Sequence, residues 1–323
     1  MLQQTQVGTV TPYFERFLKA LPTIAALARA DQQQVLRLWE GLGYYRRAQQ
    51  MHRAAQQIVA EHRGVFPRDV EAVRRLPGIG RYTAGAILSI AFDARQPILE
   101  ANTIRLFSRL VALGGDPASA SGQRLLWAVA EAVLPRRDVG LLNQALMELG
   151  STLCAPRGPR CGECPVASLC RARELAAQGE IPAIKPKPPA EARREAAVVV
   201  LRNGRALLVR SAEGQRWAGL WDFPRFPVRG QDSKSLRREL TENVRRRTGV
   251  TVAPRECWTT LKHGVTRFRI TLQCYRADYV SGTVPRGDSP DARWVRLAEL
   301  DDYPLNTTAR RLARLLIADA GND

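Results

Sequence analysis

The sequence predicts an all-helical domain followed by a small α+β domain, and three features carry that prediction. A chain of 323 residues exceeds the comfortable size of a single hydrophobic core. From Met1 to about Leu153 the apolar residues recur at helical spacing, whereas from residue 196 onward they fall in short strand-like blocks. Between these stretches lies Ile181-Pro-Ala-Ile-Lys-Pro-Lys-Pro-Pro-Ala190, proline-rich and basic, which reads as an extended linker over 180–195.

In the helical part, Val35, Leu36, Leu38 and Trp39, then Met51, Ala55, Ile58 and Val59, mark apolar helix faces. Its breaks fall at Gly41-Leu42-Gly43, at Leu76-Pro77-Gly78-Ile79-Gly80 and at Gly114-Gly115-Asp116-Pro117. The second break separates helical stretches at Asp69–Arg75 and Arg81–Phe92. Its glycines let the backbone turn tightly and approach a phosphate, which the amides opening the next helix can then bind. A helix-hairpin-helix over 69–92 is therefore expected, although a plain interhelical turn would read the same way. In the second part, strands are expected at Ala196–Leu201, Arg205–Val209, Arg267–Tyr275 and Ala292–Val295, with helices at Leu236–Arg247 and Thr308–Ala318.

Forty-nine Lys and Arg against 31 Asp and Glu give a net charge of +18, which points to a polyanionic partner. The excess is shared: residues 1–190 carry 24 basic and 15 acidic side chains, so neither half is an appended charged tail. No apolar run is long enough to span a bilayer, and the opening residues lack the basic and apolar regions of an export signal. A cytoplasmic, monomeric protein with no membrane association is expected.

The strongest chemical signal is Cys154, Cys161, Cys164 and Cys170, separated by six, two and five residues. Four thiols so close together in a chain without an export signal favour a metal centre over disulfides. Structural zinc usually takes two close pairs of ligands and here there is one; an iron-sulfur cluster accepts the looser spacing. Cys257 and Cys274 lie in strand-like surroundings and are expected to be buried apolar residues.

This cysteine run resembles the 4Fe-4S loop (154–170) of the endonuclease III and MutY glycosylases. Met1-Leu-Gln-Gln-Thr-Gln-Val7, Gly41-Leu-Gly-Tyr-Tyr-Arg46, Leu76-Pro-Gly-Ile-Gly-Arg-Tyr-Thr-Ala-Gly-Ala-Ile87 and Asn143-Gln-Ala-Leu-Met-Glu-Leu-Gly150 are similar to MutY-type adenine DNA glycosylases, in the same order. The resemblance implies a helix-hairpin-helix glycosylase domain over 1–153 and a Nudix-like 8-oxoguanine-recognition domain over 196–320. It implies removal of adenine mispaired with 8-oxoguanine or guanine in double-stranded DNA, by monofunctional hydrolysis, with a 4Fe-4S cluster as cofactor. A glycosylase must extrude its base and stabilise a sugar cation. By resemblance, Gln4, Thr5, Leu42 and Tyr44 wedge into the duplex and contact the partner base. The glycines beside Leu42 favour its exposure over a place in the core.

Gln144 matches the residue that hydrogen-bonds the extruded adenine; without the resemblance it is an ordinary polar helix residue. Glu100, in the family usually Asp, would stabilise charge on the sugar, with Asn102 and Arg105 ordering the site. Tyr82 stands where strand-nicking relatives carry a lysine nucleophile, and Lys19 is the only lysine before the linker. Trp221-Asp-Phe-Pro224 and Arg238-Glu-Leu-Thr-Glu242 echo a Nudix hydrolase, but Asn243 follows Glu242 and breaks the metal-binding pair, so no pyrophosphohydrolase activity is expected. Thr266, in His263-Gly-Val-Thr-Arg267, aligns with the lesion-reading loop.

The family's proton-donating glutamate would precede Met1 by two residues. The chain from Met1 is therefore expected to bind A:8-oxoguanine DNA and excise adenine poorly. The alternatives are a non-catalytic iron-sulfur lesion-binding protein and an endonuclease III-like bifunctional enzyme.

Overall fold

The computed structural model describes residues 1–183, 189–230, 232–285 and 291–320, excluding the side chains of Gln4 and Ala320. Residues 184–188 of the expected linker lie outside the described residues. A short 3-10 turn (Leu2–Gln4) leads into α1 (Val7–Ala20), α2 (Ile24–Arg29), α3 (Gln32–Trp39) and α4 (Arg46–His62). Then follow α5 (Val70–Arg75), α6 (Arg81–Phe92), α7 (Ala101–Leu110), α8 (Ala120–Ala132), α9 (Val139–Thr152) and the single turn α10 (Arg171–Glu174). The C-terminal part contains β1 (Glu191–Arg202), β2 (Arg205–Arg210), β3 (Trp221–Asp222), β4 (Arg225–Pro227), α11 (Ser233–Thr248), β5 (Val250–Val265), β6 (Phe268–Gly282), β7 (Ala292–Arg296) and α12 (Thr307–Ala320).

The chain divides into two compact units, one of residues 1–59 with 188–323 and the other of residues 60–187, the first boundary falling inside α4. In the first unit seven strands form one sheet in the order β3-β2-β1-β6-β5, with β4 on β1 and β7 on β2. β1 runs parallel to β6, from Glu191 opposite Phe268 to Leu201 opposite Asp278. The strand thus starts inside the segment expected to be linker: its first four residues are exposed and three of them charged, and backbone pairing holds them straight.

The unbroken apolar run Ala196–Val200 follows from burial on both faces. Ala197 and Val199 pack with Ala309, Leu312 and Leu316 of α12, while Ala196, Val198 and Val200 pack with Leu236, Leu240 and Val244 of α11. Helices α1, α3 and α4 close a separate core around Phe17, Leu36 and Trp39, which also receives Leu220 from the loop before β3. In the second unit, Val73, Ala84 and Leu88 join α5 to α6, and Phe107, Leu126 and Ala130 join α7 to α8.

Candidate active site and metal centre

In the second unit the site is organised by α7. Glu100 is its N-cap: its Oε1 accepts from the amides of Asn102 and Thr103, both at 2.9 Å, and Thr103 Oγ1 accepts from the Glu100 amide at 2.9 Å. This reciprocal box satisfies amides that open a helix and places a carboxylate at the positive end of its dipole. Arg105, one turn on and 9% exposed, receives no carboxylate partner among the described residues. Its guanidinium donates to Asn102 Oδ1 at 2.9 Å, to the Cys154 carbonyl at 2.7 Å and to the Gly150 carbonyl. Those carbonyls end α9, so the buried cation also caps that helix. The approach is close enough to require glycine: a Cβ on Gly150 would stand 2.8 Å from the Asn102 carbonyl oxygen.

Tyr82 stands near this group. Burial, with a smaller push from the Glu100 carboxylate, raises its phenol above the ordinary value, and its hydroxyl faces Met147 Sδ at 3.7 Å. Gln144 is exposed on α9 with its amide turned back to the Gly140 carbonyl at 3.2 Å. Its neighbour Asn143, which the sequence did not single out, is 1% exposed and donates to Ser89 Oγ and the Gln96 carbonyl. In the hairpin, Leu76 is buried, Gly78 takes a φ of +79°, and Gly80 caps α6 with no side chain. Pro77, Gly78, Ile79 and Gly80 thus form a side-chain-poor approach to the α6 amides.

The four cysteines line one small pocket together with Leu106, Leu110 and Val166. Arg109, four residues after Arg105 on the same helix face, places Nη1 3.2 Å from Cys154 Sγ and bonds the Ala155 carbonyl at 2.8 Å. That spacing was the signal by which a second loop-holding arginine could have been found. Burial, followed by the Cys170, Cys154 and Cys164 thiols, raises the Cys161 thiol. No three His, Cys, Asp or Glu side chains among the described residues stand close enough to hold a single metal ion. An apolar pocket with four soft donors and neighbouring guanidiniums suits a larger anionic group.

In the first unit the Gly41–Gly43 turn corrects one expectation. Leu42 is 6% exposed and belongs to the core of α1, α3 and α4. The turn is folded back by Trp39 Nε1 donating to the Gly43 carbonyl at 3.0 Å and by the Gly41 amide donating to Tyr45 Oη at 3.2 Å. Tyr44 remains exposed, at a φ of +48° with Arg47 stacked on its ring. The Gln4 side chain lies outside the described residues, and Thr5 is half-buried in extended backbone. A second correction concerns Cys257: it is exposed where β5 loses register, while Cys274 is fully buried and its thiol is pushed up to about 12 by that burial.

Thr266 occupies the two-residue turn between β5 and β6 with a φ of +52°, a conformation that a β-branched residue rarely adopts. In the Nudix-like helix, Glu239 accepts from the Arg229 and Gly230 amides and Glu242 pairs with Arg238, so both carboxylates serve local structure.

The profile of the HhH-GPD superfamily of base excision DNA repair proteins matches residues 1–132, and that of the NUDIX domain matches residues 196–315. The adenine DNA glycosylase of Rattus norvegicus is 32% identical over 98% of this chain and 70% of its own length. The chain belongs to the adenine DNA glycosylase family. The adenine DNA glycosylase of Homo sapiens is 33% identical over 98% of this chain and 66% of its own. The chain thus spans about two thirds of these family members. A thermostable thymine-DNA glycosylase structure aligns at 25% identity with a TM-score of 0.49, covering 54% of this chain and 80% of that one. No helix among the described residues of this adenine DNA glycosylase family member is long and apolar enough to cross a membrane.

Proposed function

We propose that the protein recognises adenine opposite 8-oxoguanine or guanine in duplex DNA and acts by monofunctional hydrolysis of the N-glycosidic bond. The observation that carries the hydrolytic reading is the group around α7. Glu100, its Oε1 held by two amides, is suited to accept and to stabilise positive charge, not to donate a proton. In this reading it faces the sugar as cation character develops, and Asn102 with Arg105 fixes the helix end that aims it. Tyr82 supplies a half-buried phenol where an attacking amine would otherwise stand, which favours water as the nucleophile.

Tyr44 is the wedge at the extruded base, acting together with Gln4 and Thr5, and Leu42 supports the turn from the core of α1, α3 and α4. Gln144 reads the adenine edge, and the Leu76–Gly80 hairpin takes a backbone phosphate on the amides of α6. Thr266 offers its hydroxyl to 8-oxoguanine. Cys154, Cys161, Cys164 and Cys170 would hold a 4Fe-4S cluster, which when bound supplies a rigid, charged cross-link across the loop; Arg105 and Arg109 hold the loop's backbone.

The experiment is product analysis at enzyme excess on an A:8-oxoguanine duplex, with and without borohydride. Any base released should be adenine, leaving a strand that breaks only on alkali treatment, with no trapped adduct. A borohydride-trapped complex would overturn monofunctional hydrolysis. Binding without any release of adenine would place the protein with the non-catalytic lesion binders.

A further inference from the structure

Arg47 holds a cation where ordinary stability considerations speak against one. It lies in the first turn of α4, at the positive end of the helix dipole, where negative groups are favoured. All three nitrogens of its guanidinium are buried, and none has a hydrogen-bond partner among the described residues. No carboxylate among them offsets its charge either. Taking a cation out of water without a partner is costly, and no other guanidinium among the described residues has all three nitrogens left in this way.

What the guanidinium does have is a ring. Its central carbon stands 4.6 Å from the centroid of the Tyr44 ring, and the Arg47 amide donates to the Tyr44 carbonyl at 2.8 Å. A cation over an aromatic face is attracted by the ring quadrupole, and the attraction grows as the cation loses water. Tyr44 in turn is 58% exposed and holds a φ of +48°, directly after Gly43 at +71°. The left-handed turn sets where its backbone points, but an exposed side chain is otherwise free to rotate. The stack on Arg47 removes that freedom from one face and leaves the other open.

We propose that Arg47 is a positioning residue, which holds the Tyr44 ring ready for insertion into the duplex and is kept at a cost in stability. The proposal rests on the reading of Tyr44 as the wedge. A ring ordered before binding does not have to be ordered on binding, so it inserts with a smaller entropic loss. The benefit falls on duplexes from which a base is extruded, because a wedge is idle beside an intact stacked pair.

The test has one arm without DNA and one with it. In the full chain labelled with fluorotyrosine, the Tyr44 fluorine resonance, assigned with Tyr44→Phe, should move and narrow in Arg47→Met. It should return towards its original position in Arg47→Lys, which restores a cation against the ring. Arg47→Met should melt no lower than the parent, since it removes a buried unpaired charge. In competition binding it should weaken affinity for the A:8-oxoguanine duplex by about fivefold and leave A:T affinity within about twofold. In a Tyr44→Leu background the same substitution should have no further effect on lesion affinity. An unmoved resonance overturns the proposal, as does a markedly lower melting temperature. So does a loss that is equal on both duplexes or persists without the Tyr44 ring, because Arg47 would then act on DNA by itself. If Tyr44→Leu binds the lesion duplex as well as the parent does, the wedge reading fails, and the fluorine resonance alone decides whether Arg47 places the ring.

Discussion

Arg310 of α12 and Glu40 at the end of α3 form a buried two-point ion pair, Nε to Oε1 at 2.6 Å and Nη2 to Oε2 at 3.0 Å, 270 residues apart in sequence. Both side chains are under 10% exposed, and Glu40 directly precedes the turn that presents Tyr44. Arg310 also donates to the Leu300 and Tyr303 carbonyls, while Glu40 accepts from the Leu305 amide at 3.1 Å. Gln33 adds two bonds of the same kind, accepting from Trp221 Nε1 and donating to the Gly219 carbonyl. Removing Arg310 leaves the buried Glu40 carboxylate with only the half-exposed Arg37 at 3.6 Å and the Leu305 amide, and removing Glu40 leaves Arg310 with Asp301 at 2.7 Å and two carbonyls. Arg310→Met should therefore cost about 3–5 kcal/mol in urea denaturation, with Glu40→Leu/Arg310→Met recovering much of the loss. A cost near that of a surface pair, under about 1 kcal/mol, would show that the contact is not formed in solution.

Asp222 gives a pH signature. Full burial raises its carboxyl to about 6 despite Arg225, so in the folded protein it holds a proton that the unfolded chain gives up near 3.8. Between those values the folded state binds more protons, and stability falls as pH rises from about 4 to 6. The effect is full above the folded value and amounts to at most about 3 kcal/mol. Melting curves of the protein and Asp222→Asn should diverge across that window, the parent losing stability relative to the variant as pH rises. Parallel curves from pH 4 to 7 would contradict a raised carboxyl.

Glu100 separates capping from charge. Glu100→Ala loses both amide bonds and should cost about 1 kcal/mol, whereas Glu100→Gln keeps an acceptor and should nearly retain stability. If the carboxylate faces the sugar, Glu100→Gln should still bind ordinary duplex but lose about tenfold or more of its affinity for a duplex carrying a cationic pyrrolidine in place of the target sugar. Equal affinity for the cationic duplex in both forms would remove Glu100 from the reacting centre.

The cysteine pocket makes a compositional prediction. Protein purified without air should contain about four irons per chain with a brown absorbance, and Cys164→Ser should lose most of both. Stoichiometric zinc in protein made with ample iron would replace the iron-sulfur reading with a zinc one.

What the sequence could show depended on distance along the chain. The hairpin at Leu76–Gly80 and the cysteine spacing are local, set by turn residues and chain spacing, and were legible as such; Glu100 stood out only by resemblance, and its place as the cap of α7 came from the structure. So was the sheet domain in outline, because its apolar blocks alternate with turns. The start of β1 was not: three of Glu191–Arg194 are charged, and only pairing with Phe268–Thr271 some 77 residues later makes them a strand. Leu42 was misjudged because flanking glycines signal a turn without saying which way it folds; the Trp39 indole settles that. Glu40 and Arg310 were invisible, since each alone reads as a solvated charge, and Cys257 was exposed by a bulge that leaves no mark in composition.

Competition binding on the full chain separates recognition of adenine opposite 8-oxoguanine from general affinity for duplex DNA. A labelled A:8-oxoguanine duplex should be displaced far less readily by unlabelled A:T duplex than by itself, by about tenfold or more, and Thr266→Ala should shrink that gap while leaving A:T affinity unchanged. Equal displacement by the two competitors would mean that the chain does not recognise adenine opposite 8-oxoguanine.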